Sequence, residues 1–106
     1  MTFPGRVVIT ERALGRTFGA LAADVLGVEA RSVQTRLHDS SGRLAVELEG
    51  PVSTGTLEQT GTTVVGCADS AVARIKDDGS RLTGTALGPV RMRISGAQIT
   101  ETRRAT

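Results

Sequence analysis

The sequence predicts an α/β protein, an α+β sandwich of order βαββαβ: a four-stranded antiparallel sheet with two helices on one face, the ferredoxin-like topology. Three observations carry this expectation. A helical apolar stripe runs from Leu14 to Val25. Two alternating runs, Val33–His38 and Arg43–Glu49, flank a polar, Gly-containing segment. After Gly50-Pro51 the 3.6-residue period returns, and a last alternating run, Val90–Ser95, follows it.

The opening strand is read at Arg6-Val7-Val8-Ile9, a β-branched run after Pro4-Gly5. Thr10 is a natural helix N-cap, and Glu11 places negative charge where the helix dipole favours it. Leu14, Phe18, Leu21, Ala22 and Val25 form one buried stripe, and Gly27 stands where a left-handed C-cap is expected.

In the hairpin Val33, Thr35 and Leu37 alternate with polar residues, as do Leu44, Val46 and Leu48 after the Asp39-Ser40-Ser41-Gly42 interruption. A four-residue loop pairs His38 with Arg43. It sets Leu37 opposite Leu44, Thr35 opposite Val46 and Val33 opposite Leu48, with Arg36 diagonal to Glu47. A slip of one residue would turn the whole apolar set to solvent.

Leu57, Gly61, Val64, Val65, Ala68, Val72 and Ile75 trace one face of a second, longer helix starting near Thr56. The count carries on through Gly79 and Leu82 to a cap at Gly84, with Asp77-Asp78-Gly79 as the alternative end. Val90, Met92 and Ile94 alternate with Arg91, Arg93 and Ser95 in the final strand. With right-handed crossovers the first and third strands are central. Arg36 and the Arg91/Arg93 pair then sit at opposite edges. The uncovered face bears Arg6, Val8, Arg36, Ala45, Glu47, Arg91 and Arg93.

A length of 106 residues suits one domain and one core. We place it at 5–100, after a lead at 1–4 and before a polar tail at 101–106. With Phe3 and Phe18 as its aromatic residues, the chain must build its core from Leu, Val, Ile and Ala. Of the thirteen basic residues all but Lys76 are Arg, and the net charge is +2. That charge is too small for nucleic-acid binding unless it is clustered, and an open sheet face without rings lacks the stacking platform of an RNA-binding sheet. The sequence contains no apolar run of membrane-spanning length, which points to a cytoplasmic protein.

Cys67 and His38 would have to meet to form a nucleophile–base pair. One falls mid-helix and the other at a hairpin tip, so the expectation is no catalytic residue and no enzyme. One His and one Cys supply no ligand cluster, so no metal and no cofactor are expected. Thr54-Gly55-Thr56 reads as a helix cap, with an anion held on free N–H groups as the alternative. Arg36, Arg91 and Arg93 are the candidate partner-binding residues, because no core explains Arg91 and Arg93.

Gly5-Arg6-Val7-Val8-Ile9, Gly27-Val28, the Leu44–Gly50 strand, Leu82-Thr83-Gly84 and Val90-Arg91-Met92-Arg93-Ile94-Ser95-Gly96 stand in an order that resembles the alkaline shock protein family of bacterial envelope stress proteins. The resemblance spans Gly5 to Ile99 and rests on spacing and apolar pattern. Val52-Ser53-Thr54-Gly55-Thr56 is richer in Thr and Gly than that pattern. The resemblance implies a non-enzymatic envelope stress protein or scaffold, acting through protein–protein assembly and self-association. A separate anchoring protein would recruit it to the membrane. The alternative is a small RNA- or DNA-binding domain using the Arg-bearing face.

Overall fold

Three strands, four α-helical segments, a 3-10 turn and a π-helical turn make up the part of the chain that the computed structural model describes, residues 10–84 and 86–99. The expected opening strand, the lead and the polar tail lie outside the described residues.

Helix α1 (Glu11–Leu26) forms as its caps dictate. Thr10 Oγ1 accepts from the Ala13 N–H at 3.1 Å, and Gly27 closes the helix in the left-handed region, donating to the Ala23 carbonyl at 2.8 Å. A short 3-10 turn at Ala30–Ser32 then leads into β1 (Gln34–Ser40), which pairs antiparallel with β2 (Arg43–Ser53).

The hairpin register differs from the expected one by two residues. Ser40 faces Arg43, His38 faces Ala45, Leu37 faces Val46 and Thr35 faces Leu48. The turn is the two-residue Ser41-Gly42, both with positive φ (54° and 83°), the backbone that suits the right-handed twist of a tight hairpin. A shift of two preserves every side chain's face, so the apolar pattern could not distinguish the two registers. Arg36 thereby comes directly opposite Glu47.

The long second helix is broken. Helix α2 (Thr54–Thr60) ends at Gly61 with φ 66°, and α3 (Val64–Arg74) restarts on a Thr63 cap whose Oγ1 accepts from Gly66 N–H at 2.9 Å. Val64 and Val65 sit in the first turn after the break and are exposed, off the face that buries Cys67, Ala71 and Ile75. Beyond α3 the chain does continue through Asp77-Asp78-Gly79, as a π-helical turn (Ile75–Gly79) leading to a last turn, α4 (Ser80–Thr83), capped by Gly84. Leu82 is exposed in that turn, against the expected stripe.

The sheet overturns the ferredoxin-like, four-stranded antiparallel expectation. Strand β3 (Leu87–Gln98) lies beside β2 and parallel to it, giving a three-stranded mixed sheet of order β1-β2-β3. The helical crossover brings the chain back in the direction it left, and the returning strand docks on the neighbour it departed from. Opposite charges meet across that pairing, Glu47 with Arg91 and Glu49 with Arg93. Two register shifts, at Leu44/Val46 and Gly50/Val52, give β3 one extra residue each time. They accommodate Pro89 and Pro51, which cannot donate to a ladder; β2 runs on past Pro51 to Ser53, beyond the strand end expected at Gly50.

The core lies between the sheet and α1 and α3. Phe18, Ala22 and Leu26 of α1 meet Val46, Leu48 and Val52 of β2, Cys67 of α3 and Ile75 of the π-helical turn. Each fully buried large side chain there contributes about 1.5–3 kcal/mol relative to exposure. Among the described residues no helix is long and apolar enough to cross a membrane.

Candidate functional site

The face of the sheet away from the helices carries a grid of charges. Alternation along each strand sends residues two apart to the same side. On β1 these are Gln34, Arg36 and His38, on β2 Ala45, Glu47 and Glu49, and on β3 Arg91 and Arg93. The register aligns them into cross-strand rows: Arg36–Glu47–Arg91 and Gln34–Glu49–Arg93. Strands about 4.8 Å apart make each row a positive or polar flank, a negative centre and a positive flank.

Arg36, Glu49, Arg91 and Arg93 are exposed and Glu47 is half-buried. Among the described residues none of these five takes part in an ion pair shorter than 4 Å. The pairs that do form are Arg31–Glu29 (2.8 Å), Arg74–Asp24 (3.1 Å), Arg74–Asp78 (2.6 Å) and Arg81–Asp78 (2.7 Å). Hydrogen bonds that Arg74 donates to Asp78 and Asp24 hold its guanidinium charged, its pKa raised above the ordinary value. The grid charges are left to solvent. The three guanidinium groups and two carboxylates line a shallow groove of about 670 Å³, to which Asp69 of α3 adds a third carboxylate, so its charges balance.

All three Arg residues singled out from the sequence thus share the sheet face away from the described helices, with Arg36 and the Arg91/Arg93 pair on the outer strands of the described sheet. The sequence reading already set the strand of Glu47 and Glu49 between them, but it missed that Arg91 and Arg93 stand directly beside those two carboxylates. Their place follows from the β2–β3 pairing, for which the matching i, i+2 spacings of Glu47/Glu49 and Arg91/Arg93 were the available signal. Ala45, expected on the open face, is only 3 % exposed.

The other candidates do not converge. His38 is exposed on β1, on the side that carries the charge grid. Cys67 is 2 % exposed on the helix-covered side, its Sγ 3.6 Å from the Val25 carbonyl oxygen, and burial pushes its thiol pKa up. A buried, protonated thiol is a poor nucleophile, and the sheet lies between it and the one histidine. Among the described residues no group of three or more His, Cys, Asp or Glu could hold a metal ion. Ser53, one residue before the Thr54-Gly55-Thr56 segment, caps α2, its Oγ accepting from the Thr56 N–H at 3.4 Å.

No family model, curated protein or solved structure matches the chain.

Proposed function

We propose that the chain is a non-enzymatic protein-assembly module of the envelope stress type that its sequence resembles. It works through the charge-bearing sheet face and is held near the membrane, on its cytoplasmic side, by an anchoring partner. The observation that carries the assembly reading is the charge grid: exposed Arg36, Arg91 and Arg93 flank Glu47 and Glu49 with no ion pair among them. A fixed pattern of positive and negative rows gives register and partner choice to a docking protein surface. Phosphate backbones gain less, because the two central carboxylates repel them.

Replacing Arg91 and Arg93 together by Glu tests this reading. Exposed charges contribute little to stability, so the melting temperature should stay close to that of the parent. Self-association by sedimentation, and capture of a membrane-anchored protein from the native host, should weaken strongly at low ionic strength, where the patch is least screened. Unchanged sedimentation and capture at low salt would move the interface elsewhere. Selective loss of nucleic-acid retention would favour the RNA- or DNA-binding alternative.

A further inference from the structure

We infer that the chain holds a phosphate-type oxyanion in the groove between the hairpin turn, the π-helical turn and the entry to β3. The groove has a volume of about 560 Å³ and is lined by Ser40 and Arg43 from the hairpin, Lys76 and Ser80 from the helical side, and the segment around Gly88. Among the described residues no carboxylate lines it. Arg43 and Lys76 are exposed and outside every ion pair that the described residues form. Asp78, in the same π turn as Lys76, is already engaged by Arg74 at 2.6 Å and Arg81 at 2.7 Å. Its charge is therefore answered away from the groove, and Asp77, beside Lys76 in that turn, is exposed but does not line the groove. Within the groove itself the charges are two cations from separate elements, Arg43 and Lys76, with the carboxylates of Asp39 and Asp77 outside its lining.

The floor of the groove points the same way. A Cβ built on Gly88 would sit 3.4 Å from Arg43 Cβ and 3.7 Å from Ser40 Cβ, in ordinary contact with both. Glycine leaves empty the spot where the stems of these two donors meet, and alanine would fill it without a clash. A guanidinium offers a planar fork and an ammonium a point charge, and Ser40 adds a hydroxyl donor. Donors arriving from several directions suit a tetrahedral dianion with several acceptor oxygens better than a planar carboxylate. The group could arrive on a soluble phosphate or on a phospholipid headgroup. This site is independent of the sheet-face reading, since it shares no residue with the charge grid.

Titrating the ¹⁵N-labelled full chain with inorganic phosphate, at ionic strength held constant with chloride, tests the site. Saturable amide shifts are expected at Ser40, Arg43, Lys76 and Gly88. Arg43→Gln with Lys76→Gln should raise the apparent Kd roughly tenfold or more, the loss expected when charge-assisted hydrogen bonds are removed. Gly88→Ala should weaken binding with an unchanged melting temperature, and Arg91→Gln with Arg93→Gln should leave it intact. Vesicles of phosphatidylcholine with and without phosphatidic acid separate the sources. Retention that requires phosphatidic acid and both cations assigns a headgroup, and phosphate binding without retention assigns a soluble ligand. Non-saturating shifts, or equal affinity in the Arg43/Lys76 double variant, overturn the site.

Discussion

Gly79→Ala should destabilise the protein even though it puts a better helix former into a helical backbone. Gly79 has φ −62° and ψ −46°, a conformation every residue adopts, so the backbone alone would gain about 1 kcal/mol from alanine. The added methyl, however, would lie 2.8 Å from Phe18 Cε1 and 3.1 Å from Cδ1, closer than carbon atoms pack. Phe18 is completely buried and shares the core with Leu26, Val46 and Ile75, so its ring cannot swing away freely. Overpacking of this kind costs typically about 1–3 kcal/mol. The net expectation is a loss of about 1 kcal/mol, seen as a lower urea midpoint at unchanged slope. Gly15→Ala is the internal control. That residue is also mid-helix, but its Cβ would meet nothing within 4 Å, so the propensity gain of roughly 0.5–1 kcal/mol should appear in full. Phe18→Leu should rescue part of the Gly79→Ala loss in a double-mutant cycle, because the two sites share the contact. If Gly79→Ala stabilises as much as Gly15→Ala, the π turn does not press Gly79 against Phe18, and the packing account fails.

Ser41→Asn should raise stability by part of the about 1–2 kcal/mol that a non-glycine residue loses at positive φ, read from the thermal midpoint, because Asn-Gly suits this turn better than Ser-Gly. Val46→Ala removes methyl groups from a fully buried position opposite Leu37 and should lower unfolding free energy by about 2 kcal/mol in urea titrations. Ala45→Ser should be felt as well, contrary to the expectation for an open-face residue, since Ala45 is buried and a hydroxyl there needs a partner. For Cys67 the pH dependence has a definite sign. Burial raises the thiol's folded pKa, so the unfolded chain releases its proton first, and the stability this thiol contributes is full below the ordinary thiol range and declines as pH rises through it. Urea midpoints compared between wild type and Cys67→Ala from about pH 7 to 10 should converge toward high pH. A constant difference across that range would contradict the assignment.

How much of this was legible in the residues differs from element to element. Helix α1 was readable end to end, because the Thr10 cap, the Leu14–Val25 stripe and Gly27 all act within a few residues of one another. The helical continuation was readable from the count as far as Gly79 and from the cap at Gly84, although its π turn and the exposure of Leu82 were not. That turn brings Gly79 to Phe18, and Phe18 belongs to another helix. The break at Gly61 was missed because Val64 and Val65 happened to keep the apolar period going across it.

Of the candidate site, the sequence by itself determined which residues leave the core. Two-residue alternation exposes Arg36, Arg91 and Arg93 whatever strand lies beside them, since a side chain's face depends only on its own strand's pleat. It could not choose between hairpin registers two residues apart, as both keep Leu37 and Val46 inside. The positive-φ Ser41-Gly42 turn made that choice. The neighbour of β3 is a contact between segments some forty residues apart, and the matched spacings of Glu47/Glu49 and Arg91/Arg93 are its one trace in the sequence. Only the tertiary structure, by laying β3 parallel to β2, set Glu47 against Arg91 and Glu49 against Arg93 and turned three separate arginines into an ordered grid of charge.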